Sequence, residues 1–307
     1  MHIYLYSPSG AVRDKAALRL AVKRLGQLGH DVELDPAALS SEQRFAGGDD
    51  ERLLAINRAA VSGADIVMVT RGGYGFTRLL KRLPVKAIAK SIKAGTRWVG
   101  HSDFTALQMA VLAKIHAVTW AGPHACFDFG AKEVDDITLA CFDDMVLGRG
   151  EGAGWRLPAA DLAHLPQKAM LAERATLWGG NLSVLSSLVG TPFLPSVLGG
   201  VLFLEDVAEH PYRVERMLTQ LLNAGILARQ KAIVLGRFTG YQLSSHDKGF
   251  DLRTVVDWLR RQTKTPILTG LPFGHVATKV CLPVGQDVSL LREGREAFLL
   301  WSHPAHG

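Results

Sequence analysis

The stretch Thr96-Arg97-Trp98-Val99-Gly100-His101-Ser102-Asp103 indicates the fold class, because an apolar run is followed at once by a helical pattern. The run over 96–100 predicts the end of a buried strand. Apolar residues then recur at three- and four-residue steps, as on one face of a helix: Phe104, Leu107, Val111 and Ile115. Ser102 therefore lies at a strand-to-helix turn, where the helix dipole and unpaired amides suit a serine nucleophile. A serine that only caps the helix is the alternative, since Phe104 stands where a nucleophile elbow has its second glycine.

Strands and helices alternate outward from this stretch, which predicts an α/β fold with a parallel sheet and functional loops at the carboxyl ends of its strands. The predicted N-terminal elements are strands at 3–6, 64–70 and 97–100 and helices at 16–28, 76–83 and 104–115. The later ones are strands at 201–204 and 232–235, helices at 212–222 and 252–261, and β-structure in the last 35 residues. Glycines and prolines between the N-terminal and the later elements predict a linker. We therefore expect an N-terminal α/β domain over 1–147, a linker over 148–168 and a smaller C-terminal α/β domain over 169–307.

The composition is typical of a globular protein with a substantial core, at 307 residues, 48% hydrophobic and 21% charged. No apolar segment approaches the roughly 20 residues that span a bilayer, and we expect no secretory signal. Three widely spaced cysteines, Cys126, Cys141 and Cys281, form no CxxC pair, which favours a reducing, cytoplasmic setting. The net charge of +6 comes from scattered basic residues, so we expect no nucleic-acid or membrane partner. A modest positive field favours a substrate with several carboxylates.

Two more polar residues follow apolar runs and could serve a serine nucleophile, which needs a base and a group that orients the base. Glu205 comes directly after 201–204, although it could instead cap the helix that opens near Pro211. His275 follows a glycine on a turn between apolar segments, although a histidine there could be only a buried or capping residue. The other histidines show no zinc-site spacing, so we predict no metal and no cofactor. Since the acid and the base come from a different domain than Ser102, we expect the active site in the interdomain cleft.

These residues belong to a set of blocks that together resemble a known family, the serine LD-carboxypeptidases of murein recycling. This muramoyltetrapeptide carboxypeptidase family also includes microcin-immunity peptidases. The blocks run along nearly the whole chain, in this order: Ser7-Pro8-Ser9-Gly10, Arg71-Gly72-Gly73-Tyr74-Gly75, Gly100-His101-Ser102-Asp103, Trp178-Gly179-Gly180-Asn181-Leu182, Leu204-Glu205-Asp206 with Pro211-Tyr212-Arg213, and Phe273-Gly274-His275. His101 stands where other branches commonly have an aromatic residue. The resemblance implies an amidotransferase-like N-terminal sheet.

The resemblance also implies a role for each candidate residue. Ser102 is expected to be the nucleophile, His275 the general base and acid, and Glu205 the carboxylate that orients His275. The oxyanion hole is expected from the amides of Gly73 and Asp103. The residues expected to bind the substrate are Arg71, Tyr74 and Asn181.

The function that the resemblance implies is removal of the terminal D-alanine from murein tetrapeptide, at the L,D bond to meso-diaminopimelate. One alternative is an immunity-type peptidase that cleaves a nucleotide-linked peptide antibiotic, although the chain has no evident tryptophan-containing insertion to stack on a base. The other is a non-catalytic peptide-binding module. A homodimer is expected from the family alone.

Overall fold

The computed structural model describes residues 1–301, which divide into two compact units. Unit 1 comprises Met1–Gly148 together with Ala277–Val284. Unit 2 comprises Arg149–Val276 together with the described residues from Gly285 onward. Both units contain helices and a sheet, so the predicted α/β class is confirmed. Within residues 1–301, no helix has the length and apolar character needed to cross a membrane.

The helices (α) and strands (β) are numbered in chain order. Up to residue 148 they are β1 (His2–Tyr6), α1 (Lys15–Gln27), β2 (Asp31–Leu34), α2 (Asp49–Val61), β3 (Ile66–Val69), α3 (Val85–Lys93), β4 (Arg97–Gly100), α4 (Thr105–Ile115), β5 (Thr119–Ala121) and α5 (Asp136–Leu147). Over 149–276 they are β6 (Gly152–Arg156), α6 (Ala159–Leu162), β7 (Lys168–Asn181), α7 (Leu182–Ser187), β8 (Val201–Val207), α8 (Pro211–Asn223), β9 (Ala232–Thr239), α9 (Leu252–Gln262) and β10 (Ile267–Thr269). After residue 276 they are β11 (Leu282–Val284), β12 (Asp287–Glu293) and β13 (Glu296–Leu300).

The sheet of unit 1 has the strand order β11-β5-β4-β3-β1-β2 within residues 1–301. Neighbouring strands from β5 to β2 are parallel, and β11 runs antiparallel to β5. All four residues of β3 are buried, as expected for a parallel strand whose two faces are both covered. Because parallel strands end at the same edge, the segments that follow β3, β4 and β5 lie side by side.

The sheet of unit 2 has the order β10-β9-β8-β7-β12-β13-β6 within the described part of the chain. Strands β7 to β10 are parallel neighbours, while β12, β13 and β6 add antiparallel pairs. Asn181 at the end of β7 pairs in register with Glu205 of β8. The carboxyl ends of these two strands therefore place both polar side chains at one edge.

The helix predicted over 76–83 is wrong. The structure instead has two short 3₁₀ turns, Phe76–Arg78 and Leu80–Arg82, and the α-helix begins only at Val85. Pro84 explains why the second turn ends at Leu83, because the residue before a proline is disfavoured in the helical region and Leu83 is extended at ψ 136°.

The linker predicted over 148–168 is also wrong, because this segment contains β6 and α6. Ala153 and Trp155 are buried, while Gly152, Gly154 and Arg156 are exposed, which is the alternation of an edge strand. Glycine fits because a Cβ at Gly152 would lie 2.7 Å from the carbonyl oxygen of Leu299. A glycine has no side chain to show this alternation in the sequence.

The predicted domain boundaries differ from the observed units at one further place. Segment 277–284 lies inside the predicted C-terminal domain, yet it belongs to unit 1, where β11 completes the sheet. The partner of β11 is β5, more than 150 residues earlier in the chain, so no local pattern could indicate the pairing.

Candidate active site

Ser102 lies in a sharp turn between β4 and α4, here called the serine turn and comprising Gly100–Phe104. The turn is one 3₁₀ helix, Ser102–Phe104, whose N-cap is His101. Ser102 itself adopts a left-handed backbone with φ 62°. That conformation costs about 1–2 kcal/mol in a residue other than glycine. The alternative that Ser102 is only an N-cap is therefore wrong, since a capping residue is extended and this one is strained.

The loop after β3, here called the glycine loop and comprising residues 71–75, lies against Ser102. A Cβ built on Gly72 would come within 2.7 Å of Ser102 Cβ, 2.8 Å of its Oγ and 3.4 Å of the Asp103 nitrogen. No side chain fits at Gly72, so the backbone alone approaches the hydroxyl. Gly73 follows with φ 101°, a conformation that glycine adopts without strain.

Asp103 connects the serine turn to this loop through its side chain. The Phe76 amide donates a hydrogen bond to Asp103 Oδ2 at 2.7 Å, and the carboxyl group is almost completely buried. Burial raises the pKa of Asp103 to about 6, although the Phe76 amide and the nearby Arg52 oppose the shift. The side chain thus has a structural task, while the prediction for this residue concerns its backbone amide.

Arg71 and Tyr74, both predicted to bind substrate, belong to the glycine loop. Arg71 is partly buried, and its Nη1 donates to the carbonyl of Ala11 at 2.9 Å. Among the described residues, no carboxylate lies within salt-bridge distance of Arg71; its pKa is lowered by burial and by the like charges of Arg13 and Arg44. Tyr74 is 53% exposed, with Arg44 5.8 Å from its ring centre. This corner of unit 1 is therefore cationic.

In unit 2, Glu205 and His275 form a hydrogen-bonded pair. His275 Nδ1 lies 2.8 Å from Glu205 Oε2, and the side chain of Glu205 is completely buried while that of His275 is 17% exposed. The alternative that Glu205 caps a helix is wrong, because it lies within β8 and the N-cap of α8 is His210. A buried carboxylate that accepts from Nδ1 orients the imidazole ring and leaves Nε2 as the atom that can exchange a proton.

Two glycines allow the pair to form. A Cβ on Gly236 of β9 would lie 2.5 Å from the Phe273 carbonyl oxygen, and that oxygen accepts a hydrogen bond from the Arg237 amide. Gly274 has φ 141°, and a Cβ there would lie 3.3 Å from Glu205 Oε2. The register between β8 and β9 shifts at this point. The irregularity lets the chain before His275 pack directly against β9.

Asn181 donates a hydrogen bond to Glu205, the carboxylate of the pair. Its Nδ2 donates to Glu205 Oε1 at 3.1 Å and to Asp206 Oδ1 at 2.9 Å, while its Oδ1 accepts from the Val184 amide. Ser183 donates to Asp206 through both its amide and its hydroxyl. Burial, and secondarily the charge of Glu205, raise the pKa of Asp206. The predicted substrate contact of Asn181 stays a prediction, whereas its contact with the acid was not expected from the sequence.

The structure thus places the predicted residues in two groups. Unit 1 holds Ser102 and Asp103 beside the loop that carries Arg71, Gly73 and Tyr74, as their order after β3 and β4 predicts. Unit 2 holds Glu205 and His275 together with Asn181. The pairing of Ser102 with His275, and a site in a cleft between domains, stay predictions. Within residues 1–301, no three or more His, Cys, Asp or Glu side chains are grouped so as to hold a metal ion.

Comparison with known proteins agrees with the blocks found in the sequence. The profile of the LD-carboxypeptidase N-terminal domain matches residues 3–122, and that of the C-terminal domain matches residues 174–290. A probable murein peptide carboxypeptidase of Bacillus subtilis is 30% identical over 279 residues, covering 90% of this chain and 85% of the relative.

Solved structures resemble the whole chain. The crystal structure of muramoyltetrapeptide carboxypeptidase from Oxalobacter formigenes aligns with a TM-score of 0.87 and 39% identity, covering 99% of this chain and all of the other. The microcin C7 self immunity protein MccF aligns with a TM-score of 0.82 over 99% of this chain and 97% of its own. At 21% identity, the latter likeness shows a shared fold and no more.

Proposed function

The chain belongs to the LD-carboxypeptidase family, and on that premise we propose that it is a serine peptidase that removes the terminal D-alanine from murein tetrapeptide. The observation that carries the serine mechanism is the 2.8 Å hydrogen bond between His275 Nδ1 and the buried Glu205 carboxylate. A histidine oriented in this way can serve as the general base for a serine nucleophile. Ser102, with a strained backbone at a strand-to-helix turn, has the geometry that nucleophilic serines require.

In the proposed reaction, Ser102 Oγ attacks the carbonyl carbon of the bond between meso-diaminopimelate and D-alanine. His275 Nε2 takes the hydroxyl proton, and Glu205 stabilises the imidazolium that results. The amides of Gly73 and Asp103 donate to the oxyanion of the tetrahedral intermediate. The C–N bond then breaks, the D-alanine amine receives the proton from His275, and the tripeptide remains esterified to Ser102. Water, deprotonated by His275, hydrolyses the ester and restores the enzyme.

A carboxypeptidase must also recognise the free carboxylate at the end of its substrate. Arg71 suits this task, because its guanidinium is partly buried beside the glycine loop and pairs with no acidic side chain among the described residues. The neighbouring Arg13 and Arg44 add positive charge, which favours an anionic peptide. We assign the terminal carboxylate to Arg71 and a stacking or hydrogen-bonding contact to the exposed Tyr74.

The test is to incubate the purified protein with murein tetrapeptide and to follow free D-alanine and the tripeptide by mass spectrometry. We expect both products in equal amounts from the natural chain and neither from Ser102→Ala. Ser62→Ala, which removes a serine hydroxyl at the end of α2 in the same unit, is the matched control and should keep full activity. If tetrapeptide stays intact while a nucleotide-linked peptide is cleaved, the chain is an immunity-type peptidase. Binding of tetrapeptide without cleavage of either substrate indicates a peptide-binding module.

A further inference from the structure

Two buried histidines stack on each other at the serine turn, one within it and one outside it. The rings of His101 and His124 have their centres 3.6 Å apart at an interplanar angle of 10°, and the residues are 1% and 3% exposed. His101 is the residue before Ser102, and His124 follows β5, the strand next to β4. The sequence places both histidines near strand ends, but it does not show that they touch.

His124 contacts the backbone of His101 on both sides of its Cα. His124 Nε2 lies 3.2 Å from the His101 amide nitrogen and 3.0 Å from the His101 carbonyl oxygen; in one tautomer it accepts from the amide, and in the other it donates to the carbonyl. The ring of His101 is held as well, because its Nδ1 lies 2.8 Å from the carbonyl oxygen of Gly122, to which it can only donate. The Gly122 amide in turn donates to the Gly100 carbonyl. The chain entering the serine turn is therefore fastened to segment 122–124.

His124 is itself held by a buried charged pair. Its amide donates to Asp128 Oδ2 at 2.7 Å across a π-helical turn, Ala125–Phe129. Lys279 Nζ, which is completely buried, forms an ion pair with Asp128 Oδ1. The Lys279 amide donates to Thr138 Oγ1 at 2.8 Å, so the lysine is fixed at both ends. A charged pair that is buried and hydrogen-bonded in this way permits little displacement of its members.

We propose that His124 is a positioning residue for Ser102. The inference rests on the proposed serine mechanism. Ser102 has a left-handed backbone, and a strained conformation persists only where its surroundings determine it. The Nε2 atom of His124 lies within hydrogen-bond distance of both polar backbone groups of His101, and the His124 amide donates to Asp128, the partner of Lys279. Nucleophilic attack is sensitive to such placement, since an error of about 1 Å can lower the rate about 100-fold.

The test compares two substitutions of His124 by steady-state kinetics on murein tetrapeptide. His124→Phe keeps the stacked ring but removes Nε2, whereas His124→Gln loses the ring but places an amide near the position of Nε2. We expect kcat to fall about 10- to 100-fold in the Phe variant with KM nearly unchanged, and the Gln variant to recover most of the loss. His30→Phe is the matched control, because its ring packs against Phe142 in the same unit. The control should keep the kcat of the natural chain.

A folded His124→Phe protein with the kcat of the natural chain overturns the proposal, and so does an equal loss in the Phe and Gln variants. If the Phe variant does not fold, His124→Asn replaces it, because the shorter amide reaches only the position of Nδ1. The Gln variant should then exceed the Asn variant about 10-fold in kcat, and equal values overturn the proposal. If the natural chain itself releases no D-alanine, the proposed function fails and this inference fails with it. A loss of activity seen only in the variants leaves the proposed function intact.

Discussion

The serine turn of unit 1 and the Glu205–His275 pair of unit 2 hold their reactive groups by different means. In the serine turn the backbone is strained, with φ 62° at Ser102, and the neighbours that restrain it contact main-chain atoms. In the pair, two ordinary side chains are joined by one hydrogen bond, and the special conformations lie in the glycines that allow the chain close to β9. A nucleophile is placed by its backbone, whereas a base is placed by the partner of its ring. Substitutions in the two regions should therefore fail in different ways.

The largest effect is expected at Ser102. Ser102→Ala and Ser102→Gly should each lose turnover by about 10⁴-fold or more, because only binding and oxyanion stabilisation remain. Their stabilities should differ, because glycine adopts a positive φ without strain and alanine does not. We expect the free energy of unfolding to be about 1 kcal/mol higher for the Gly variant than for the Ala variant. Turnover and urea unfolding measure the two effects. Equal stability of the two variants would mean that the turn stores no strain.

The second effect concerns the pair. Glu205→Gln should lower kcat by about 10³- to 10⁴-fold, because an amide favours the wrong imidazole tautomer and cannot stabilise the imidazolium. The loss should be smaller than at Ser102. Glu173→Gln, at an exposed position of β7 in the same unit, is the control for removing a carboxylate and should leave kcat unchanged. Turnover by Glu205→Gln close to that of the natural chain would remove Glu205 from the mechanism.

Gly72→Ala tests whether the glycine loop must touch the serine turn. The added methyl would lie 2.7 Å from Ser102 Cβ, so the nucleophile or the loop has to move, and we expect kcat to fall about 100-fold in a folded protein. Gly26→Ala provides the comparison, because nothing lies within 4 Å of a Cβ at that position in α1. It should keep full activity and gain about 0.5–1 kcal/mol of stability. Circular dichroism and kinetics separate a local displacement in Gly72→Ala from unfolding.

A smaller, pH-dependent effect is expected at Asp103. Its pKa of about 6 in the folded protein is above the ordinary value, so the folded chain holds this proton more tightly than the unfolded chain does. Stability should therefore fall as the pH rises from about 4 to about 6, and the loss persists above that range. Asp103→Asn removes the dependence and should raise the free energy of unfolding by about 3 kcal/mol at pH 7.5 but not at pH 3.5. Its turnover should be retained, because the proposed role belongs to the backbone amide.

The smallest effect is expected from chelation. In the proposed mechanism Ser102, His275 and Glu205 supply every step of the reaction, so prolonged EDTA treatment should leave D-alanine release unchanged. A zinc peptidase loses activity under the same treatment and regains it with added metal. The measurement is the rate before and after chelation, with added zinc as the third arm. A loss that zinc restores would contradict the serine mechanism.

How much could be predicted from the sequence depends on how far apart the contacting residues are. The predicted strand before Ser102 and the predicted helix after it are confirmed as β4 and α4. Both could be predicted because their apolar patterns lie within short stretches of consecutive residues. The family was identified from its blocks and is confirmed by both domain profiles. The helix predicted over 76–83 is wrong, because this segment forms two short 3₁₀ turns and ends at the residue before Pro84.

The roles within the site were less visible. Asn181 was expected to meet substrate, and the structure shows it holding the acid of the pair. The cytoplasmic location, the homodimer and the identity of the murein substrate stay predictions. A side chain's partner is set by the neighbouring strand, and nothing next to Asn181 in the chain indicates that Glu205 lies beside it.

The sequence by itself determined the α/β class and the strand-to-helix turn at Ser102, and it indicated Glu205 and His275 as candidate site residues, since each follows an apolar run or a glycine. Only the tertiary structure decided that β6 is a strand, that segment 277–284 returns to unit 1, and that His124 contacts the residue before Ser102. Lys279 and Asp128 lie 151 positions apart and are joined only by folding. Local sequence patterns indicate which side of a helix or strand faces the core. Contacts between distant segments depend on the order and register of the strands, which no short stretch of sequence specifies.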